Sequence, residues 1–89
     1  MSEFDWSEEK NEHLEHTRGV CFEDVVVSIQ NGGVLDVIRH LNQKRYPGQN
    51  IIVLNVEGYM WLVPYIKKTG KRFLKTIIPS RKATREYIA

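Results

Sequence analysis

The sequence has only one cysteine, Cys21, which excludes an internal disulfide and a zinc cluster of the CxxC type. It also lacks an apolar run long enough to span a bilayer. The acidic opening "MSEFDWSEEK" does not have the basic-then-apolar order of a secretory signal, so we expect a cytoplasmic protein. With 42% hydrophobic and 27% charged residues, the chain has the composition of a folded protein. Its 89 residues suffice for one core but not two, so we expect a single domain over residues 1–89.

The first part of the chain has few basic residues, and the second part has few acidic residues. Residues 1–36 contain nine acidic and two basic residues, a net charge of −7, whereas residues 37–89 contain eleven basic and two acidic residues, a net charge of +9. This asymmetry indicates a polyanion or an acidic protein as a partner for the C-terminal half. The alternative is that the two halves neutralise each other across the fold.

Two helices are predicted in the first third of the chain. Asp5 or Ser7 can cap a polar helix through "SEEKNEHLEHT", which Gly19 ends. A second helix is predicted over "CFEDVVVSIQ" and closed by Asn31-Gly32, because apolar residues recur there at helical spacing: Phe22, Val25, Val26 and Ile29. Three consecutive valines favour a strand instead, but the acidic first turn and the glycine stop favour the helix.

The remaining sequence predicts four strands and a last helix. The strands are "VLDVIRHL" (34–41), "NIIVLNV" (50–56), "YMWLVPYI" (59–66) and "RFLKTII" (72–78), and "EFDW" is a possible short edge strand. Pro64 marks a bulge or an unpaired side of its strand. Ser80 is predicted to cap the final helix. The predicted fold is therefore α+β: two N-terminal helices, a four-stranded antiparallel meander and a C-terminal helix.

Cations are concentrated at the start of this last helix. Arg81, Lys82 and Arg85 stand at spacings of four and three, which places their charges on one face near the helix N-terminus. Guanidinium groups, free N–H groups and the helix dipole together favour a phosphate-like anion. Arg72 and Lys75 extend the positive surface. The alternative is a solvated basic face that serves only solubility.

Histidines offer two further candidate sites. His40, beside Arg39 on a predicted strand, can move a proton near neutral pH, or can simply be a hydrogen-bonded residue at a sheet edge. His13 and His16 lie three residues apart on the first helix, but no third metal ligand is specified. We therefore expect no metal and no cofactor. Among the tyrosines, Tyr87 is the candidate for base stacking, because it shares the last helix with the cations.

Three segments, in this order and over nearly the whole chain, carry a resemblance to a known family: "FDWSEEKN", "RGVCFEDV" and "RFLKTIIPSRKAT". Together they resemble the BrnT family of bacterial type II toxins. The resemblance implies a RelE-like fold and a metal-independent endoribonuclease that cleaves RNA and stops translation. It also implies a neighbouring BrnA-like antitoxin of ribbon-helix-helix type, through which alone operator DNA would be bound.

The resemblance also implies roles for particular residues. Arg81, Lys82 and Arg85 match the basic C-terminal motif and would stabilise the charge on phosphorus. No motif of the family assigns the proton transfer that such cleavage needs, and our own candidates for it are His40, with Tyr87 behind it. Arg18 stands where many members of the family have histidine, and an arginine there can hold a phosphate but cannot accept a proton. The expected RNA contacts are Arg18, Arg39, Arg72 and Lys75. The alternatives are a non-catalytic module of the same fold that binds RNA or a protein partner, and a basic face that serves the antitoxin alone.

Overall fold

A computed structural model of the chain describes residues 3–88. It is an α+β fold with three helices and a mixed six-stranded sheet. None of the described helices is long and apolar enough to cross a membrane. In chain order the elements are β1 (Phe4–Asp5), α1 (Glu8–Arg18), α2 (Phe22–Gln30), β2 (Val34–Arg39), β3 (Asn50–Val56), β4 (Tyr59–Lys68), β5 (Lys71–Leu74), β6 (Ile78–Pro79) and α3 (Arg81–Ile88).

The sheet has the order β1-β5-β4-β3-β2. Neighbours from β2 to β5 pair antiparallel, as the alternating sequence predicts. Short turns join β3 to β4 and β4 to β5, whereas the longer loop 40–49 joins β2 to β3. Two features make the sheet more than the predicted meander. β1 pairs with β5 in parallel, and β6 returns to pair with β4. The prediction is therefore confirmed for the fold class and only in part for the topology.

The predicted last strand, residues 72–78, is interrupted. Its pairing with β4 stops at Leu74 opposite Tyr65 and resumes at Ile78 opposite Leu62. Four steps along one strand thus match three along the other, which is a one-residue bulge. One extra residue moves every later side chain to the opposite face. For this reason Leu74 and Ile77 are both buried and Ile78 is exposed. An uninterrupted strand over residues 72–78, as the sequence predicts, would place Leu74 and Ile78 on one face, and this is wrong.

Pro64 explains where the interruption falls. Its carbonyl oxygen accepts a hydrogen bond from the Lys75 N–H, at 2.8 Å, so its backbone faces the chain that leaves β5. A proline has no N–H to donate in return. The ladder therefore ends at this point, which agrees with the prediction of a bulge or an unpaired side at Pro64.

Both ends of α1 follow the sequence prediction. The Ser7 hydroxyl accepts a hydrogen bond from the Lys10 N–H at 3.2 Å. At the other end Gly19 is left-handed, with φ of 67°, and its N–H donates to the Glu15 carbonyl. Ser7, rather than Asp5, is thus the cap of this helix.

The α2 segment is helical, as its apolar spacing predicts, despite its three valines. Phe22 and Val25 are fully buried, and Val26 and Ile29 pack against the same core. Residue 21 provides no side-chain hydrogen bond to the N-terminus of α2. Tertiary burial of the apolar stripe therefore outweighs the β propensity of the valines.

Asn11 of α1 supplies the missing N-terminal cap of α2. Its Oδ1 accepts from the Phe22 N–H, and its Nδ2 donates to Glu23 Oε1, both at 2.8 Å. Asn11 is the one buried polar residue of the described chain. The hydrogen bond from Asn11 Nδ2 is the main reason for the lowered pKa of the Glu23 carboxyl.

Helices cover the sheet from both sides. Between the sheet and the N-terminal helices lies the main core, which includes Leu14, Leu54 and Val63. A smaller cluster of Val53, Met60 and Ala83 lies on the opposite face, beneath α3. Because side chains alternate along a strand, Val53 and Leu54 reach different clusters from adjacent positions.

Candidate nucleic-acid interface

The helix α3 begins as predicted at Ser80. The Ser80 hydroxyl accepts a hydrogen bond from the Ala83 N–H at 3.0 Å, and the Ser80 carbonyl accepts from the Thr84 N–H at 3.0 Å. The first N–H groups of the helix, at Arg81 and Lys82, are left without a partner inside the helix. These N–H groups lie at the same end of α3 as the side chains of Arg81 and Lys82.

Met60 of β4 holds α3 on the sheet through two hydrogen bonds and one packing contact. The Met60 N–H donates to Thr84 Oγ1 at 2.9 Å, and the Met60 carbonyl accepts from the Ser80 N–H at 2.9 Å. Ala83 is buried against Met60 and Val53. The orientation of α3 is thus set by the sheet, and the side opposite Ala83 faces outward.

Arg81, Lys82 and Arg85 are all exposed on this helix. Within residues 3–88, no hydrogen bond, ion pair or ring contact engages any of their side chains. No interaction with another described residue would have to be broken when these side chains meet an anion. An ordered helix with free cations in its first turns is a suitable surface for phosphate groups.

Arg18 reaches the segment that leads into α3. Its Nη1 donates to the Ile77 carbonyl oxygen at 2.6 Å, four residues before Arg81. A guanidinium has five N–H donors, so this bond leaves the others available. The structure therefore brings the C-terminal end of α1 to the same edge of the sheet from which α3 starts.

Lys75 lies on the α3 side of the sheet. Its Nζ stands 5.7 Å from the centre of the Phe73 ring, and the Lys68 Nζ stands 5.2 Å from the same ring. Phe73 pairs with Ile66 of β4. Ile66 follows Tyr65 of the main core, so Ile66 and Phe73 lie on the opposite face of the sheet. Phe73 and its two lysines therefore extend the positive surface on the face that α3 occupies.

Arg72 and Arg39 lie on the other face of the sheet. The Arg72 guanidinium is 5.7 Å from the Phe4 ring and 5.9 Å from the Tyr65 ring, both of which belong to the main core. Arg39 pairs with Asn50, which in turn pairs with Tyr65. Residues paired across antiparallel strands share a face, so both arginines are on the side of the N-terminal helices. The structure does not bring them together with the cations of α3.

His40 lies directly after β2, not on the strand as predicted. Its N–H still donates to the Gln49 carbonyl at 3.0 Å, but the chain then turns into a loop. Its Nδ1 accepts from the Asn42 N–H at 3.1 Å, and its ring lies 4.4 Å from that of Tyr46. With Nδ1 as an acceptor, the neutral ring carries its proton on Nε2. The half-buried, hydrogen-bonded environment is that of the structural alternative considered for this residue.

Tyr87 connects the end of α3 to β2. Its hydroxyl donates to Asp36 Oδ2 at 3.3 Å. Desolvation and the neighbouring Asp36 carboxylate raise the pKa of the Tyr87 phenol. The phenol therefore stays protonated near neutral pH, where it can donate a hydrogen bond but cannot act as a base.

One cleft of the structure was not anticipated from the sequence. It has a volume of about 710 Å³ and lies between α2 and the β3–β4 turn. Asp24, Glu57 and Trp61 are among its lining residues, and none of the predicted basic residues lines it. No sequence signal could have found it, because its walls come from two segments that are distant in the sequence, residues 19–35 and 55–61.

Cys21 and the two histidines of α1 show no feature of a reactive or metal-binding site. Burial is the main cause that raises the pKa of the half-buried Cys21 thiol, which makes the nucleophilic thiolate rarer. His13 and His16 are exposed. In the part of the chain from residue 3 to residue 88, no three His, Cys, Asp or Glu side chains are grouped so that they could hold a metal ion.

Comparison with known proteins provides no relative from which a role could be transferred: no family model, no curated protein and no solved structure matches the chain.

Proposed function

We propose that this chain is the toxin of a type II toxin-antitoxin system and acts as a metal-independent endoribonuclease with a RelE-like fold. The observation that supports this proposal best is the first half of α3. There Arg81, Lys82 and Arg85 are exposed and free of ion pairs within residues 3–88, on a helix held to the sheet at Met60. The proposed arrangement of two N-terminal helices, antiparallel strands and a cationic C-terminal helix is the one expected of such toxins.

The proposed chemistry is attack of a ribose 2′-OH on the adjacent phosphorus. Such a reaction needs a base for the 2′-OH proton, an acid for the leaving 5′-oxygen and cations for the charge that builds on phosphate. Arg81, Lys82 and Arg85 would stabilise this charge. As the imidazolium, with Nδ1 released from the Asn42 N–H, His40 would give its Nε2 proton to the leaving 5′-oxygen while water takes the 2′-OH proton. Tyr87 would donate a hydrogen bond.

The proposed partners follow from the same surface and from the resemblance of the sequence. RNA would lie along the α3 side of the sheet, where Arg18 and Lys75 would add contacts to its phosphate backbone. Arg39 and Arg72 lie on the other face, so they would contact RNA only if it extends around the edge of the sheet. A ribbon-helix-helix antitoxin would inhibit the toxin and would bind operator DNA. The proposed site of action is the cytoplasm.

The test is RNA cleavage in the presence of EDTA. Wild-type protein is expected to cut single-stranded RNA, and an Arg81→Ala, Arg85→Ala variant is expected to lose at least a hundredfold in rate, the usual effect of removing one group that stabilises a transition state. A Lys10→Ala, Lys44→Ala variant removes the same charge elsewhere and should cut at the wild-type rate. Equal cleavage by all three proteins would refute the proposed role of α3.

A second candidate function, binding without cleavage, is supported by the hydrogen bonds that already engage His40 and Tyr87. His40 Nδ1 is bonded to Asn42 in its own loop, and the Tyr87 hydroxyl is bonded to Asp36 on β2. These bonds favour a module that binds RNA or a protein partner without cutting it. Such a module would lose affinity for RNA steeply as salt is added and would give no cleavage products over hours.

A further inference from the structure

The strand β2 lies at the edge of the sheet and exposes large apolar side chains on both of its faces. Four of its six residues are aliphatic, with exposed fractions of 37% for Val34, 46% for Leu35, 49% for Val37 and 39% for Ile38. Leu41, two residues beyond the strand, is 98% exposed. Edge strands of monomeric proteins are normally protected by charge, proline, a bulge or a short length. β2 has two charged residues, Asp36 and Arg39, and a bulge between Val34 and Asp36, but it has no proline. A concentration of apolar surface on an edge strand is typical of an interface.

The backbone of β2 has its own unpaired groups. The His40 N–H donates to the Gln49 carbonyl, so the backbone groups of His40 face β3. In an antiparallel pair this orientation alternates, and Ile38 and Asp36 therefore also face β3. Those of Val37 and Arg39 face away from the sheet, where the described chain places no further strand. The Val37 N–H donates to Asp36 Oδ1 at 2.8 Å and would exchange this local bond for one to the new strand. These groups can form a new antiparallel ladder.

We propose that the occupant of this edge is β2 of a second copy of this chain, paired antiparallel about a twofold axis at Ile38. A twofold axis perpendicular to the sheet keeps equivalent faces on the same side, so residues of the same face must lie opposite each other. An axis at Asp36 or at Arg39 would place two like charges opposite each other, which is unfavourable. An axis at Val37 would place Asp36 opposite the apolar Ile38, and an axis at Ile38 avoids all of these pairs.

The pairing about Ile38 matches the side chains of β2 with those of the second copy. Ile38 faces its own copy, and Leu35 lies at the bulge of β2, outside this regular register. Asp36 faces His40, whose Nδ1 accepts from Asn42 and whose Nε2 therefore carries the proton of the neutral ring. A donor on one copy thus meets a carboxylate on the other, twice in the dimer. This complementarity of β2 with itself is what favours a second copy over an unrelated strand.

The proposed dimer would engage the same His40 nitrogen to which the proposed function assigns proton transfer. Dimerisation would then keep that nitrogen away from RNA. The dimer proposal does not depend on that function, because its test measures association and not cleavage.

The test is sedimentation velocity of the full chain from low to high micromolar concentration. We expect wild type to sediment as a dimer and an Ile38→Lys variant, which places two ammonium groups across the axis, as a monomer. Ile78→Lys is the matched control and should remain a dimer, because Ile78 is 41% exposed but lies on β6, away from this edge. Circular dichroism establishes that each variant is folded.

A disulfide test identifies the register without relying on a disruptive variant. In a Cys21→Ser background, Ile38→Cys should form a disulfide-linked dimer on mild oxidation, because a non-hydrogen-bonded pair has Cα atoms about 4.5 Å apart. Val37→Cys should not, since its own copy would lie two positions away. A wild-type protein that is monomeric at every concentration, a dimeric Ile38→Lys variant, or cross-linking at 37 rather than 38 would overturn the proposal. So would a monomer that uses β2 only to bind a coexpressed partner.

Discussion

Replacing Asn11 by alanine tests whether one side chain of α1 holds α2 in place. The change removes the acceptor of the Phe22 N–H, and Phe22 and Asn11 are 0% and 6% exposed, so water cannot easily replace the bond. An unpaired buried donor costs about 1 to 3 kcal/mol. Losing the second bond, to the exposed Glu23, adds less because water can substitute for it. We expect a loss of about 2 to 3 kcal/mol, which lowers Tm by about 10 to 20 °C in a domain of this size.

Urea unfolding monitored by tryptophan fluorescence measures this loss directly. The Trp6 ring stacks on Phe22 at a centroid distance of 5.6 Å, so the probe lies beside the perturbed helix start. Asn31→Ala is the control, because Asn31 is exposed and follows α2, and surface changes of this kind stay within about 0.5 kcal/mol. An Asn11→Ala variant as stable as Asn31→Ala would refute the assignment of Asn11 as a cap.

The pH dependence of stability gives a second test at the same position. The folded protein lowers the pKa of Glu23 below its ordinary value of 4.5. The stabilisation is therefore present above pH 4.5 and is lost as the pH falls through the lower, folded value. Asn11→Asp keeps an acceptor for Phe22 but sets a carboxylate beside Glu23, so this variant should fall further below wild type as the pH rises from 4 to 7. A difference between variant and wild type that does not change with pH would contradict the assigned contact.

Two other predictions concern tight packing and cysteine reactivity. In Gly33→Ala the new Cβ would collide with Ser28 Oγ and lie 2.8 Å from the Asn55 carbonyl oxygen, so a loss of about 1 to 3 kcal/mol is expected in urea unfolding; a loss below 0.5 kcal/mol would contradict this packing. Because burial raises the pKa of Cys21, the folded protein should react with iodoacetamide near neutral pH more slowly than the urea-unfolded chain does. Faster reaction of the folded protein would show an activated thiol.

Local patterns predicted most of the elements, and contacts between distant residues explain the errors. The caps at Ser7, Gly19 and Ser80 depend on neighbouring residues and were all predictable. The interruption after Leu74 was not, because it depends on which neighbour the backbone of Pro64 faces. Nor does the sequence state that Asn11 caps another helix eleven residues away.

The candidate site was predictable where it lies on a single element. The spacing of Arg81, Lys82 and Arg85 predicted a shared, exposed cationic face, and all three are exposed on α3. Arg39 and Arg72 appear as part of the same basic half of the chain, yet they lie on the opposite side of the sheet. Which face a strand residue occupies depends on pairing, and net charge along a sequence contains no information about pairing.

The salt dependence of RNA binding tests most directly whether the cations of α3 hold a nucleotide backbone. Fluorescence anisotropy with a labelled 2′-O-methyl RNA, which lacks the free 2′-OH needed for cleavage, gives the affinity of wild type and of an Arg81→Ala, Lys82→Ala, Arg85→Ala variant at several salt concentrations. Each phosphate contact contributes about 0.7 to the slope of log affinity against log salt for a single strand, so the variant should lose about 2 from the wild-type slope and bind more weakly. The same slope and affinity in both proteins would contradict the proposed interface.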